Sequence, residues 1–107
     1  MINETPNLQY IHQLSGGDQE FEKKLINIIK SEFPEEKQTY FYNVQAKNYT
    51  LTAGNVHKLK HKISILGLEK SYEIAAAFES NLLDERLDLQ EEFEAILTII
   101  TQYLQEI

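Results

Sequence analysis

The spacing of the apolar residues constrains this chain more than any other feature of it. Leu89, Phe93, Ile96, Ile100, Tyr103 and Ile107 follow one another at alternating steps of four and three. At ~100° per residue that pattern lays them along one stripe of an α-helix, the seam of a helix bundle. Three- and four-residue spacing recurs through the rest of the chain, and no run alternates apolar and polar residues as a half-buried strand does. Only four glycines and two prolines punctuate it. The expected fold is all-α, an antiparallel four-helix bundle with one or more additional short N-terminal helices. At 107 residues the chain is the size of a single domain, read as spanning 1–107.

Breaker residues set the expected boundaries. A short helix from about Pro6 to Leu14 ends at Ser15-Gly16-Gly17-Asp18, where Asp18 is placed to cap a second helix with Phe21, Leu25, Ile28 and Ile29 on one face. Pro34 reads as the first-turn proline of a third helix, which carries Tyr40, Phe41 and Val44 and loosens between Lys47 and Thr50. A fourth helix runs from about Leu51 to Leu66 and stops near Gly67. A fifth covers Glu69 to Leu83 and, after a polar turn from Asp84 to Asp88, a sixth fills the remainder.

Composition removes several classes of function. The net charge of -7 has the wrong sign for a general nucleic-acid binder, which needs clustered Lys and Arg against phosphates. With no cysteine there is no disulfide framework and no thiolate to bind zinc or attack a substrate. Apolar stretches fall far short of the ~20 residues that cross a bilayer. The residues MINETPNLQY lack the basic-then-apolar pattern of a secretory leader. A cytoplasmic monomer without nucleic-acid or membrane partners is the expectation. No glycine-rich phosphate loop supports a nucleotide-dependent kinase, and no spaced nucleophile, base and acid support a hydrolase.

Against this acidic background one segment reverses sign. Thr50 to Leu68 contains no acidic residue, and Asn55 to Lys62 alone holds three lysines and two histidines. Such a run is ordinarily a solvated face, but here it can also hold an anion. Helical geometry puts Val56, Leu59, Ile63 and Leu66 on the buried side and turns His57 to the other. Lys60 and His61 then lie one turn on, Ser64 two turns on, and the small Ala53 and Gly54 one turn back. A neutral imidazole has an unprotonated nitrogen able to attack a phosphoryl group, and Lys60 is placed to neutralise charge on it.

His57-Lys58-Leu59-Lys60 followed by Leu66-Gly67 resembles the central signature of the histidine phosphotransfer family, His-x-Leu-Lys-Gly with Leu-Gly a few residues later. Leu14-Ser15-Gly16-Gly17-Asp18 is similar to that family's opening loop, and Phe78-Glu79 falls where it commonly has Leu-Glu. The resemblance extends from about Leu8 to Leu83. It implies a phosphorelay carrier, not an ATP-binding kinase, whose His57 accepts phosphate from a receiver-domain aspartate and passes it to another response regulator. The implied partners are receiver domains and a hybrid sensor histidine kinase, with Mg2+ on the partner receiver and no cofactor in the chain itself. Lys60 takes the place of the family's electrostatic helper. Glu79 comes near the histidine, either to orient its ring or to cap a packing stripe with Tyr72, Ala76 and Leu83. His61 departs from the usual glycine and Lys62 from a small residue, so His61 and Ser64 are read as modulators: the His61 imidazole can contact the phosphoryl group or add local positive charge.

Two rivals accompany this reading. His57 and His61, at i and i+4, have the spacing of two zinc ligands, but Lys58, Lys60 and Lys62 repel a cation and the segment offers no carboxylate. A helical docking module is the other, with the apolar residues Leu51 and Ile65, expected to be exposed near the histidine face, binding receiver domains without phosphorylation.

Overall fold

Five α-helices account for most of residues 4–107, which are the residues described by the computed structural model. They are α1 (Gln9–Ser15), α2 (Gln19–Gln45), α3 (Tyr49–Ile65), α4 (Glu69–Leu83) and α5 (Gln90–Glu106). Asp18 caps α2 as its sequence position predicts, accepting the Glu20 and Phe21 amides at 3.1 and 3.2 Å. Gly16, in the left-handed conformation at φ 58°, closes α1 by donating its amide to the His12 carbonyl. Asn48 caps α3 through the Leu51 amide at 3.1 Å, so that helix starts two residues earlier than expected.

The reading of Pro34 is corrected. No helix begins there: α2 runs unbroken for 27 residues with Pro34 inside it, so the described chain has five helices where the sequence reading gave six. Proline in a helix interior costs about 3 kcal/mol, since it lacks an amide for the i−4 carbonyl. Here the buried stripe of Ile29, Phe33, Tyr40 and Asn43 keeps one phase straight through Pro34, whose ring faces water. Burying an aromatic side chain contributes about 1.5–3 kcal/mol, so Phe33 and Tyr40 together offset the break. At ~1.5 Å per residue α2 is about 40 Å long; it sets the 44 Å long dimension of the molecule.

Three-residue connections turn α2 back onto α3 and α3 back onto α4, and α5 packs against α4 and α2. Side chains from all five helices meet in one apolar core. At its centre the Tyr40 ring stands edge-on to Phe78 and Phe93, and its hydroxyl donates to Glu94 Oε2 at 2.9 Å. Burial, reinforced by the Glu94 carboxylate, pushes the Tyr40 phenol well above its ordinary range. The expected α5 seam is partly displaced: Phe93, Ile96 and Ile100 are buried, but Leu97 and Leu104 join them while Tyr103 is half-buried and Ile107 exposed. A straight helix drifts by ~20° per heptad relative to a strict seven-residue repeat, which carries the buried stripe from Tyr103 to Leu104.

The turn between α3 and α4 is clasped by residues far away in sequence. Leu68 gives α4 no side-chain cap; instead the Glu4 carboxylate accepts the Lys70 and Ser71 amides at 2.7 and 2.8 Å and the Ser71 hydroxyl at 2.8 Å. Desolvation works against this charge, but the Lys70 and Ser71 amides, then the Ser71 hydroxyl, outweigh it and hold Glu4 below the ordinary carboxylate range. Asn7 donates its amide to the Leu66 carbonyl at 2.9 Å and lays its side chain where a Cβ on Gly67, at φ 79°, would stand 2.5 Å away. Asn7 is thus engaged with the turn, Pro6 is buried outside any helix, and α1 starts only at Gln9. Among the described residues no helix is long and apolar enough to cross a membrane.

Candidate functional site

The wheel drawn for the basic segment describes α3 well. Thr52, Ala53, Val56, Leu59 and Ile63 are buried, and the His57 side chain on the opposite flank is 53% exposed. One turn back, Gly54 has open space where a Cβ would stand, so nothing crowds the ring from that side. Ser64 is exposed two turns on, and Leu51 is exposed near the start of the helix; Ile65, expected to be exposed, is half-buried against the core.

Helix α4 supplies the decisive side chain. Glu79 Oε2 lies 3.1 Å from His57 Nδ1, and its other oxygen lies 2.9 Å from Lys60 Nζ. One carboxylate therefore holds a histidine and a lysine that stand one turn apart on α3. Of the two roles open to Glu79, the contact with the ring is made, whereas the packing stripe breaks off: Tyr72 and Ala76 are half-buried but Leu83 is 63% exposed. An ionised carboxylate can only accept, so the His57 proton belongs on Nδ1 and the lone pair on Nε2.

No known protein family, curated protein or solved structure matches this chain.

Lys60 is less available than the sequence implies. Its side chain is 14% exposed, with the ammonium against Glu79 and 5.5 Å from the centre of the Tyr72 ring. Sequence reasoning put Tyr72 on a packing stripe and missed it as a partner. The signal was there, because Tyr72 and Glu79 are two turns apart on one face of α4. Lys62 turns the other way, to Glu32 and Glu36 of α2 at 2.9 and 3.3 Å. Burial opposes its charge, yet the Glu32 and Glu36 carboxylates hold the ammonium above its ordinary range. Lys58 faces the same acidic groove, lined by Glu32, Glu35, Glu36, Thr39 and Asn55.

His61 stands against His57, ring centres 4.9 Å apart and planes at 73°, an edge-to-face contact. It is exposed and makes no hydrogen bond or ion pair with the described residues. The four residues His57, Lys60, His61 and Glu79 thus gather at one edge of the α3–α4 pair, and Ser64, one turn beyond Lys60 and His61 on α3, is exposed.

Proposed function

We propose that this chain is a histidine-containing phosphoryl carrier, its helices α2 to α5 forming an antiparallel four-helix bundle with α1 as an accessory, as its resemblance to the histidine phosphotransfer family implies. The observation that carries the reading is the exposed His57 ring, fixed through Nδ1 by Glu79 so that Nε2 is the free nucleophile. In the forward step the Nε2 lone pair forms a bond to phosphorus of a receiver's aspartyl phosphate. The P–O bond breaks, its electrons leaving on the aspartate. No proton has to depart: Nδ1 keeps its hydrogen, the ring becomes cationic, and the Glu79 carboxylate 3.1 Å away stabilises that charge. The reverse step returns a neutral imidazole, which suits a relay between two receiver domains in the cytoplasm, with Mg2+ on the receiver.

The test is to incubate the chain with radiolabelled phospho-receivers and map the label under non-acidic conditions. Wild type takes up an acid-labile, base-stable label on His57. His57→Gln takes up none yet unfolds in urea like wild type, since the side chain fills no core space. Binding of phospho-receivers with no label on His57 would establish a docking module instead.

A further inference from the structure

The ammonium of Lys60 is largely buried: it is paired at 2.9 Å with the same Glu79 carboxylate that grips His57 Nδ1, and it is tucked beside Tyr72. Lys62 is engaged with α2, and Lys58 lines the acidic groove on that side. Beside the ring, His61 makes no hydrogen bond or ion pair among the described residues. We infer that His61, the imidazole in edge-to-face contact with His57 at 4.9 Å, is the residue that hydrogen-bonds the phosphoryl group on His57, while Lys60 acts only through Glu79.

The inference rests on the carrier reading and deepens it. An imidazole carries at least one N–H in either protonation state, so His61 always has a hydrogen to offer. It stands on the same helix one turn from His57, on the exposed side, whereas Glu79 approaches from α4 and grips Nδ1. The two helices therefore divide the work: α4 fixes the ring, and α3 itself provides the contact to what the ring carries. A donor on a phosphoryl oxygen offsets charge in the group as it passes between nitrogen and oxygen, which speeds the transfer in both directions.

Phosphoramidate allows a test without any partner. Its phosphoryl group passes to Nε2 as the P–N bond to ammonia breaks, and 31P and side-chain 15N spectra report where the group sits. In wild type, phosphorylation of His57 moves the His61 ring 15N signals. His61→Phe keeps an aromatic ring but removes the donor, and takes up phosphate roughly tenfold more slowly, the effect of one charge-assisted hydrogen bond. His61→Gln, with an amide donor at that position, recovers most of the rate. Equal rates in wild type and His61→Phe, or slowing in His61→Gln as large as in His61→Phe, would sink the role of His61 and leave the carrier reading standing. No phosphate on His57 of the wild type would overturn both.

Discussion

The two edges of α3 hold the same kind of bond to different ends. Toward α2, Lys62 sits between Glu32 and Glu36, and Asn55 accepts the Asn43 amide at 2.6 Å; toward α4, Lys60 sits against Glu79. Both are lysines fastened by carboxylates across a helix pair. On the α2 edge two carboxylates serve one cation, and their charge is used up in holding the helices together. On the α4 edge one carboxylate serves two bases, Lys60 and His57, and the second is exposed. What separates a fastening from a candidate site is the ratio of acceptors to donors and the access of water to one of the donors.

Removing the shared carboxylate breaks the comparison most severely. Glu79→Gln loses a charge-assisted hydrogen bond to His57, about 1.5–3 kcal/mol, so phosphorylation of His57 slows roughly ten- to hundredfold, while urea unfolding shows a smaller loss of about 1 kcal/mol from the Lys60 ammonium left without its carboxylate. Single-turnover labelling alongside a denaturation curve measures both; an unaltered rate removes Glu79 from the step.

The paired lysines should then cross over. Lys60→Met puts an uncharged thioether where the ammonium lay beside Tyr72 and frees Glu79, and costs about 1 kcal/mol in the transfer step, or roughly fivefold in rate. Lys62→Met leaves Glu32 and Glu36 without the ammonium that lies between them, costs about 1–2 kcal/mol of stability, and keeps the rate within about twofold of wild type. Because the Lys62 ammonium titrates above its ordinary range in the folded chain, its stabilisation is complete below about pH 10 and fades as pH rises through the raised value. The alkaline limb of the stability profile should therefore flatten in Lys62→Met. Equal rate losses in the two variants would mean that a general field, not a division between edges, governs the site.

The turn that sets the two helices against each other is sensitive in a different way. Gly67→Ala places a Cβ against the Asn7 side chain and forces φ 79° on an alanine. Asn7 can swing aside, but the left-handed backbone remains, so about 1–2 kcal/mol of stability is lost. Asn7→Ala in the same chain recovers only the steric part, as thermal unfolding of the single and double variants will show. The smallest effect is expected from Glu4→Gln, which weakens a half-buried cap by about 1 kcal/mol or less. Since Glu4 titrates below the ordinary carboxylate range when folded, its contribution is complete above about pH 4.3 and is lost as pH falls through the lowered value. The variant should match wild type in strong acid and fall fully behind it by about pH 4.3. A constant difference across that range would mean the carboxylate's charge is not what caps α4.

Local rules made much of this legible. Val56, Leu59 and Ile63 on one side of α3 and His57 on the other follow from a single angle, and Asp18 and Gly16 act where residue type and position say they should. The failures share a cause, which is dependence on a second segment. Pro34 looks like a helix start until the core on both sides of it is known to hold Phe33 and Tyr40 in phase. Lys60 lies within a turn of His57 on any wheel, but its capture by Glu79 and Tyr72 depends on how α4 is set beside α3. Nothing near Leu68 announces that the cap of α4 is Glu4.

That cap has a consequence for the order of assembly. The hydrogen bonds from Lys70 and Ser71 to Glu4 close loops of 66 and 67 residues, whereas α3 and α4 need only three residues between them to meet. Closing the longer loop costs more chain entropy, so the α3–α4 hairpin, with His57 and Glu79 already facing each other, is favoured to form first with its first turn frayed. The N-terminal segment then docks as the last stitch, and in hydrogen exchange the Lys70 and Ser71 amides will open at lower free energy than the core amides of the same helix.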